Sequence, residues 1–248
     1  MSGLSALIVA HGSPADPAPY QAALQALAVR VAFLLPGWQV QGATLAAPGA
    51  LERALARAVA QPLVYPFFMA QGWFTGRELP RRLTAAGVEG AHRLDPFGVD
   101  PDLPALVALV ALEGAAEAGL DPGSTTLLLA AHGSKVSRTS ADSTHAMADQ
   151  LRARTRFARV AVGFVEEAPF LADAARDLGP AVCLPFFALR AGHVAADVPD
   201  ALAEAGFDGV LLPEIGAQAA TAALIAAALG RAAGSAGGQP PAPPAQWG

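Results

Sequence analysis

A seven-residue segment, Leu7-Ile-Val-Ala-His-Gly-Ser13, occurs a second time in this chain as Leu128-Leu-Ala-Ala-His-Gly-Ser134. Two further pairs of segments keep the same order and nearly the same separation: Tyr65-Pro-Phe-Phe68 with Leu184-Pro-Phe-Phe187, and Ala47-Pro48 with Ala168-Pro169. Self-similarity at a nearly fixed separation indicates a repeated architecture. The sequence therefore predicts two copies of one unit in tandem.

Within the first copy, short apolar runs alternate with longer amphipathic segments. The runs cover residues 6–10, 40–45 and 63–68, and the amphipathic segments cover 20–35, 49–60 and 78–86. Unbroken apolar runs are typical of parallel strands buried on both faces, and their alternation with helices is typical of βαβ units. The pattern predicts an α/β fold of two tandem units, each a small parallel sheet flanked by helices.

Proline and glycine mark the boundary between the two copies. Asp121-Pro-Gly-Ser124 favours a turn, so we place the connection there, between units at residues 1–120 and 124–230. Residues 231–248 are rich in Ala, Gly, Pro and Gln and poor in side chains that pack. Such a composition cannot offset the entropy of ordering, so the sequence predicts a disordered tail there.

Composition argues against several classes of partner. The net charge of -5, with 16 Lys and Arg among 248 residues, lacks the basic excess that nucleic-acid binding requires. No apolar stretch is long enough to span a membrane, and no basic and apolar leader opens the chain. Cys183 is the single cysteine and lies in an apolar run, which predicts a buried, unreactive thiol in a reducing compartment. We therefore expect a cytoplasmic protein.

Both His-Gly-Ser triplets follow the first predicted strand of their unit, at its carboxyl end. Open α/β sheets bind ligands at this edge, where residues from different strands converge. In the second copy the strand ends carry His132, the pair Glu166 and Glu167, and His193. Imidazole nitrogens and carboxylates suit divalent metals such as Co²⁺, Fe²⁺, Ni²⁺ and Zn²⁺. The combination predicts an open metal site, whereas any one histidine alone would more often cap a helix or fill a polar pocket.

The first copy indicates that the fold does not need these polar groups. The gap-free register places apolar residues opposite them: Phe74 opposite His193, Leu45 opposite Glu166, and Ala46 opposite Glu167. Polar residues required by the fold would be needed in both copies, so the second copy keeps them for function. His11 survives in the first copy as a hydrogen-bonded strand-end histidine, a remnant, or a binding residue.

A longer pattern in the second copy resembles a known family. It comprises Ala131-His-Gly-Ser134, then Phe164-Val-Glu166 before a proline, then Pro185-Phe-Phe-x4-Gly-His-Val-x2-Asp-Val-Pro199. This pattern is similar to the class II sirohydrochlorin chelatases in their small and duplicated forms, which insert Co²⁺ or Fe²⁺ on the routes to cobalamin and siroheme. The resemblance spans residues 5–229 and implies an active site in the cleft between two chelatase-like units.

The resemblance also implies roles for individual residues. His132 and His193 are the metal-binding pair, and the family's acidic residue falls on Glu166, with Glu167 as the alternative. The metal, Co²⁺ or Fe²⁺, is then a substrate, and no tightly bound cofactor is implied. Duplicated members are expected to keep the complete set in their first half. Here the first half reads Gly72-Trp-Phe74 where Gly-x-His is expected, so the intact copy is the second one.

Metal insertion into a tetrapyrrole needs a metal with open coordination positions and a base that removes two pyrrole protons. A histidine pair leaves positions open, and a histidine or a nearby carboxylate can accept the protons. We favour His193 for both tasks. The alternative function is a non-catalytic metal- or tetrapyrrole-binding protein on the same fold. We expect a monomer, because two units supply within one chain the two walls that a single-unit homologue obtains by dimerising.

Sirohydrochlorin carries many carboxylates, so a chain of negative net charge needs local cations to bind it. The candidate substrate-binding residues near the predicted strand ends are Arg190, Lys135, Arg138, Arg77, Arg81 and Ser134. Arginine suits bidentate pairing with carboxylates, although each cation could also be solvated surface charge. Trp73 and Phe74 could form an apolar wall against the macrocycle or belong to the core. The chain contains no Gly-x-Gly-x-x-Gly, P-loop or Gly-x-Ser-x-Gly motif, which argues against nucleotide-binding and hydrolase functions.

Overall fold

The computed structural model describes residues 3–135, 138–189 and 192–237, and side chains at 192–195 and 236–237 lie outside that description. Its strands are β1 (Leu4–Ala10), β2 (Trp38–Thr44), β3 (Leu63–Pro66), β4 (Thr126–Ala131), β5 (Arg159–Phe164), β6 (Ala181–Pro185) and β7 (Val210–Leu211). Its α-helices are α1 (Pro17–Leu34), α2 (Ala50–Leu55), α3 (Leu79–Ala85), α4 (Leu103–Glu117), α5 (Thr139–Arg154), α6 (Leu171–Ala174), α7 (Gly192–Glu204) and α8 (Thr221–Gly237). A π-helical turn, Phe74–Glu78, precedes α3, and 3₁₀ turns lie at Phe97–Val99, Pro122–Ser124 and Ile215–Ala217.

The described chain forms two compact units, each with its own parallel sheet. Unit 1 contains the described residues up to Asp100 and those from Ala219 onward, and its strand order is β2-β1-β3. Unit 2 is Pro101–Gln218, with the strand order β5-β4-β6-β7. Every strand pair is parallel, because a helix or helical turn connects each strand to the next, as in βαβ units. The predicted α/β fold is confirmed.

The backbone repeats between the units in detail. Where the chain leaves the third strand, Gly98 N–H donates to the Phe68 carbonyl and Gly216 N–H donates to the Phe187 carbonyl, both at 2.9 Å. A Cβ added at Gly98 or at Gly216 would lie 1.8 Å from a carbonyl oxygen, of Met69 and Ala188 respectively. Only glycine permits this close approach, so both copies retain it.

The compact units are offset from the predicted boundaries at 1–120 and 124–230. Helix α4 belongs to unit 2, where it packs on α5 and β6, and α8 belongs to unit 1, where it packs on α1 and β3. In unit 1 the buried Tyr65 hydroxyl donates to Asp100 at 2.9 Å, and Asp100 pairs with Arg231 of α8 at 3.8 Å. The last helix of each sequence copy therefore packs in the other unit.

The prediction of a disordered tail is corrected for residues 231–237, which belong to helix α8. Residues 231–237 are helical, because the Ala-rich sequence favours helix and Arg231 pairs with Asp100. Residues 238–248 lie outside the described chain. Among the described residues, no helix is both long enough and apolar enough to cross a membrane.

Within the described residues, an apolar cluster packs beside the sheet of each unit. The cluster of unit 1 includes Leu79 and Leu83 of α3, and the cluster of unit 2 includes Val198 and Leu202 of α7. Cys183 lies within the second cluster and is fully buried, and this burial raises the pKa of its thiol to about 12. The prediction of a buried, unreactive thiol is confirmed, since the nucleophilic thiolate is suppressed.

Candidate metal-binding site

His132 follows the end of β4 and is exposed. Its Nδ1 lies 3.1 Å from the Gly133 carbonyl oxygen. A carbonyl only accepts hydrogen bonds, so this bond requires a hydrogen on Nδ1, and in the neutral ring the lone pair is then on Nε2. Neutral imidazole in this tautomer is a common metal ligand, oriented by the bond that its other nitrogen makes.

The two neighbouring carboxylates have different environments. Glu167 accepts a hydrogen bond from the Ser134 N–H at 2.7 Å, and its side chain folds over Gly133. Gly133 has a φ of +71°, and an added Cβ would lie 2.9 Å from Glu167 Cγ. Glu166 donates its backbone N–H to the His132 carbonyl at 2.9 Å, and its carboxylate makes no hydrogen bond or ion pair within the described residues. Among the described residues, Glu167 therefore holds the His-Gly-Ser loop, while the Glu166 carboxylate has no partner.

The backbone of unit 1 corrects the predicted register of these acids. The Ala46 N–H donates to the His11 carbonyl at 2.9 Å, as the Glu166 N–H does to His132. Ala46 is therefore the counterpart of Glu166, and the gap-free prediction that Leu45 lies opposite Glu166 is wrong by one residue. The second copy has one more residue between this bond and the start of its next helix, at Leu171 rather than Ala50.

His193 lies in the first turn of α7, and its side chain is outside the described part of the chain. The repeat fixes which residue of unit 1 is its counterpart. Leu79 and Leu83 take the same core positions as Val198 and Leu202, and continuing this register back along the chain places Phe74 opposite His193. The predicted pairing of Phe74 with His193 therefore agrees with the packing of α3 and α7.

In unit 1 the two equivalent side chains meet. The rings of His11 and Phe74 are edge to face, with their centroids 4.2 Å apart. His11 also has its Nδ1 2.8 Å from a carbonyl, that of Gly12, which repeats the His132 arrangement. The fold thus brings the residue after the first strand against the residue before the third helix. The same two positions in unit 2 are His132 and His193.

Among the residues whose side chains are described, no three His, Cys, Asp or Glu side chains lie close enough together to hold a metal ion. His193 is outside that set.

The predicted substrate-binding cations differ in whether they form ion pairs with acidic residues of the chain. Arg81 binds Glu78 through two hydrogen bonds, of 2.9 and 2.8 Å, and Arg82 adds a third of 2.8 Å. Arg138 is exposed and lies 3.9 Å from the carboxylate of Asp142. Two others, Arg77 and Lys135, are exposed and make no ion pair within the described chain, and Arg190 is outside it.

Glu78 is a residue that the sequence prediction missed. Its buried carboxylate joins the π-helical turn to α3, and the hydrogen bonds from Arg81 and then Arg82 lower its pKa from about 4.5 to about 2. The signal in the sequence is an acid followed by arginines three and four residues later, a spacing that places them on one face of a helix.

Glu78→Gln is expected to destabilise the protein at neutral pH and to weaken its acid sensitivity. Because the pKa of Glu78 is lower in the fold than in the unfolded chain, its contribution is complete above pH 4.5 and is lost as the pH falls toward 2. Urea unfolding across this range should show the difference between Glu78→Gln and wild type shrinking with acidity. Glu52→Gln, at an exposed acid of α2, serves as the control, and an equal loss in both variants would refute this role.

The comparisons with known proteins agree with this fold. A family model, CbiX, matches residues 126–232. The structure of CbiX, described as the terminal enzyme for biosynthesis of siroheme in denitrifying bacteria, is 50% identical, with a TM-score of 0.82, and the match covers 91% of this chain and 97% of that one. A search of curated proteins finds no match.

Two more distant structures share the fold. SirB from Bacillus subtilis with Fe³⁺ is 16% identical, with a TM-score of 0.73 and coverage of 96% of this chain and 98% of that one. The sirohydrochlorin chelatase SirB from Bacillus subtilis subspecies spizizenii in complex with cobalt is 15% identical, with a TM-score of 0.68 and coverage of 96% and 98%. The identity of 50% over nearly the whole of both chains shows that this chain belongs to the CbiX family.

Proposed function

We propose that this chain is a sirohydrochlorin chelatase that inserts Fe²⁺ into its substrate, with His132 and His193 as the metal-binding pair. The observation that carries the proposal is the contact between His11 and Phe74, at the positions that the second copy fills with two histidines. The 50% identical relative acts in siroheme biosynthesis, and siroheme contains iron, which favours Fe²⁺ over Co²⁺. Imidazole ligands accept both metals, so the ligand type alone does not select one of them.

The histidine pair captures the metal without enclosing it. His132 offers Nε2, because its Nδ1 is held by the Gly133 carbonyl. Two imidazoles leave coordination positions that the pyrrole nitrogens can fill, whereas a closed site of four protein ligands would retain the metal. Exchange of imidazole for pyrrole nitrogen then moves the metal from protein to macrocycle.

Insertion also requires a proton acceptor. The divalent metal replaces two N–H hydrogens of the macrocycle, so two protons leave and the net charge balances. Glu166 is suited to accept a proton, because its carboxylate is half-buried and without a partner among the described residues. The Glu167 carboxylate is already engaged by the Ser134 N–H. We therefore assign proton acceptance to Glu166, alongside the role predicted for His193.

Glu166→Gln and Glu167→Gln are expected to differ in kind. The first removes a general base, which typically contributes about 10² in rate, and leaves the fold intact. Glu167→Gln weakens the hydrogen bond to Ser134, and its expected effect is a loss of about 1–2 kcal/mol in unfolding free energy. Initial rates and urea unfolding on both variants separate the two roles. Equal rates for the two variants would contradict the assignment.

The activity is tested by following the absorbance of sirohydrochlorin under anaerobic conditions with Fe²⁺ or Co²⁺ in a metal buffer. We expect insertion well above the spontaneous rate. If the protein binds metal or tetrapyrrole but does not raise the rate with either ion, the chain is a binding protein on a chelatase fold. A faster rate with Co²⁺ at equal free metal would overturn the choice of iron.

A further inference from the structure

Unit 1 presents aromatic and cationic side chains together at the exit of β3. Trp73 and Phe74 are 59% and 36% exposed, and Arg77 is exposed on the π-helical turn that begins at Phe74. These three residues are called the aromatic patch below. Large aromatic side chains are mostly buried in folded proteins, so an exposed pair beside a cation is typical of a binding surface.

Hydrogen bonds stabilise the backbone segment that carries the aromatic patch. The Gly72 N–H donates to the Thr75 hydroxyl at 2.9 Å, and that hydroxyl donates to the Gly72 carbonyl at 3.1 Å. Arg93 donates to the Thr75 carbonyl at 3.0 Å, and the rings of Trp73 and Phe74 pack edge to face at 5.1 Å. A preformed surface loses little conformational entropy when a ligand binds. Single π-helical turns also occur frequently at functional sites.

The charge of the patch comes from Arg77. The other two arginines of this segment, Arg81 and Arg82, are both bonded to Glu78. Arg77 makes no ion pair with any residue in the described ranges, so its guanidinium is open to a ligand. Guanidinium pairs well with carboxylate, and aromatic rings stack on flat conjugated systems. The patch complements a flat, conjugated ligand that carries carboxylates.

We propose that the aromatic patch binds the tetrapyrrole, with the rings of Trp73 and Phe74 against the macrocycle and Arg77 against one of its carboxylates. This inference rests on the proposed function, from which it takes the ligand. Unit 1 has lost the second histidine, and Phe74 stands in its place. The change converts a metal-binding position into part of a surface for the organic substrate.

The test is the binding of metal-free sirohydrochlorin to the full chain without added metal, so that no insertion occurs. Trp73→Ala is expected to raise Kd about tenfold, and Arg77→Gln about threefold. Two substitutions on α1 are matched controls: Phe33→Ala removes an 85% exposed aromatic ring, and Arg30→Gln removes an exposed arginine. Both controls are expected to bind as wild type does.

Trp73→Phe keeps an aromatic ring and is expected to keep most of the affinity, which separates lost stacking from misfolding. Unchanged Kd in both Trp73→Ala and Arg77→Gln would overturn the proposal. It would also be overturned if Trp73→Ala changed only the mass measured by light scattering, because the patch would then bind a second copy of the chain. Insertion assays on His132→Ala report separately on the metal site, so failure of the proposed function is distinguishable from failure of the patch.

Discussion

His193→Ala is expected to slow metal insertion by about 10²-fold or more. The variant leaves His132 as the only imidazole of the pair, which is not enough to hold a divalent metal for transfer. It also removes the base assigned to His193. Binding of metal-free tetrapyrrole should change little, because the aromatic patch lies in unit 1. Anaerobic initial rates, together with Co²⁺ titration by calorimetry, measure the two effects. Co²⁺ suits the titration because it resists oxidation by air.

The duplicated chain supplies a matched control for this experiment. His132→Ala is expected to lower the rate as His193→Ala does, whereas His11→Ala removes the corresponding histidine of unit 1 and should leave the rate within about twofold of wild type. Both histidines follow a first strand and contact the carbonyl of the next glycine. Both substitutions therefore remove the same backbone contact, and His11→Ala also removes the ring contact with Phe74. A large rate loss in His11→Ala with a small one in His193→Ala would contradict the assignment and place the metal site in unit 1.

The fold was predictable because the repeat and the apolar runs are local in sequence. Strands β1 and β4 each end where the His-Gly-Ser triplet begins, as a buried parallel strand followed by a glycine turn requires. The packing of α4 in unit 2 and of α8 in unit 1 was not predictable in the same way. An Ala-rich helix carries an apolar face but no signal for which of two similar sheets it covers. The length of α8 was missed because its Ala-rich end resembles the Pro-rich tail in composition.

The sequence selected the candidate residues but could not distinguish the environments of the two neighbouring acids. Comparing the copies selected His193 and the two acids, because the gap-free register places Phe74, Leu45 and Ala46 opposite them. Glu166 and Glu167 have the same chemistry in sequence. Their environments differ because the Glu167 carboxylate accepts the Ser134 N–H and lies over Gly133, whose φ is positive.

Phe74→His is expected to create a second metal site, raising Co²⁺ binding from about one ion per chain to about two. The ring of Phe74 already contacts that of His11, whose Nδ1 is held by the Gly12 carbonyl and whose Nε2 is available. An imidazole at position 74 would supply the partner that His132 has in His193. Loss of the aromatic contacts of Phe74 should cost about 1 kcal/mol of stability. Calorimetric titration with Co²⁺ and the visible absorption of the bound ion measure the outcome.

Two variants decide whether the new site has the expected ligands. Phe74→Ala removes the same aromatic ring without adding a ligand and should leave the count at about one, and adding His11→Ala to Phe74→His should abolish the second ion. If Phe74→His bound no additional Co²⁺ while remaining folded, contact of the two rings would not be enough to make a metal pair. The inference from His11 and Phe74 to His132 and His193 would then lose its support. A second ion that persists without His11 would place the new ligand set elsewhere in unit 1.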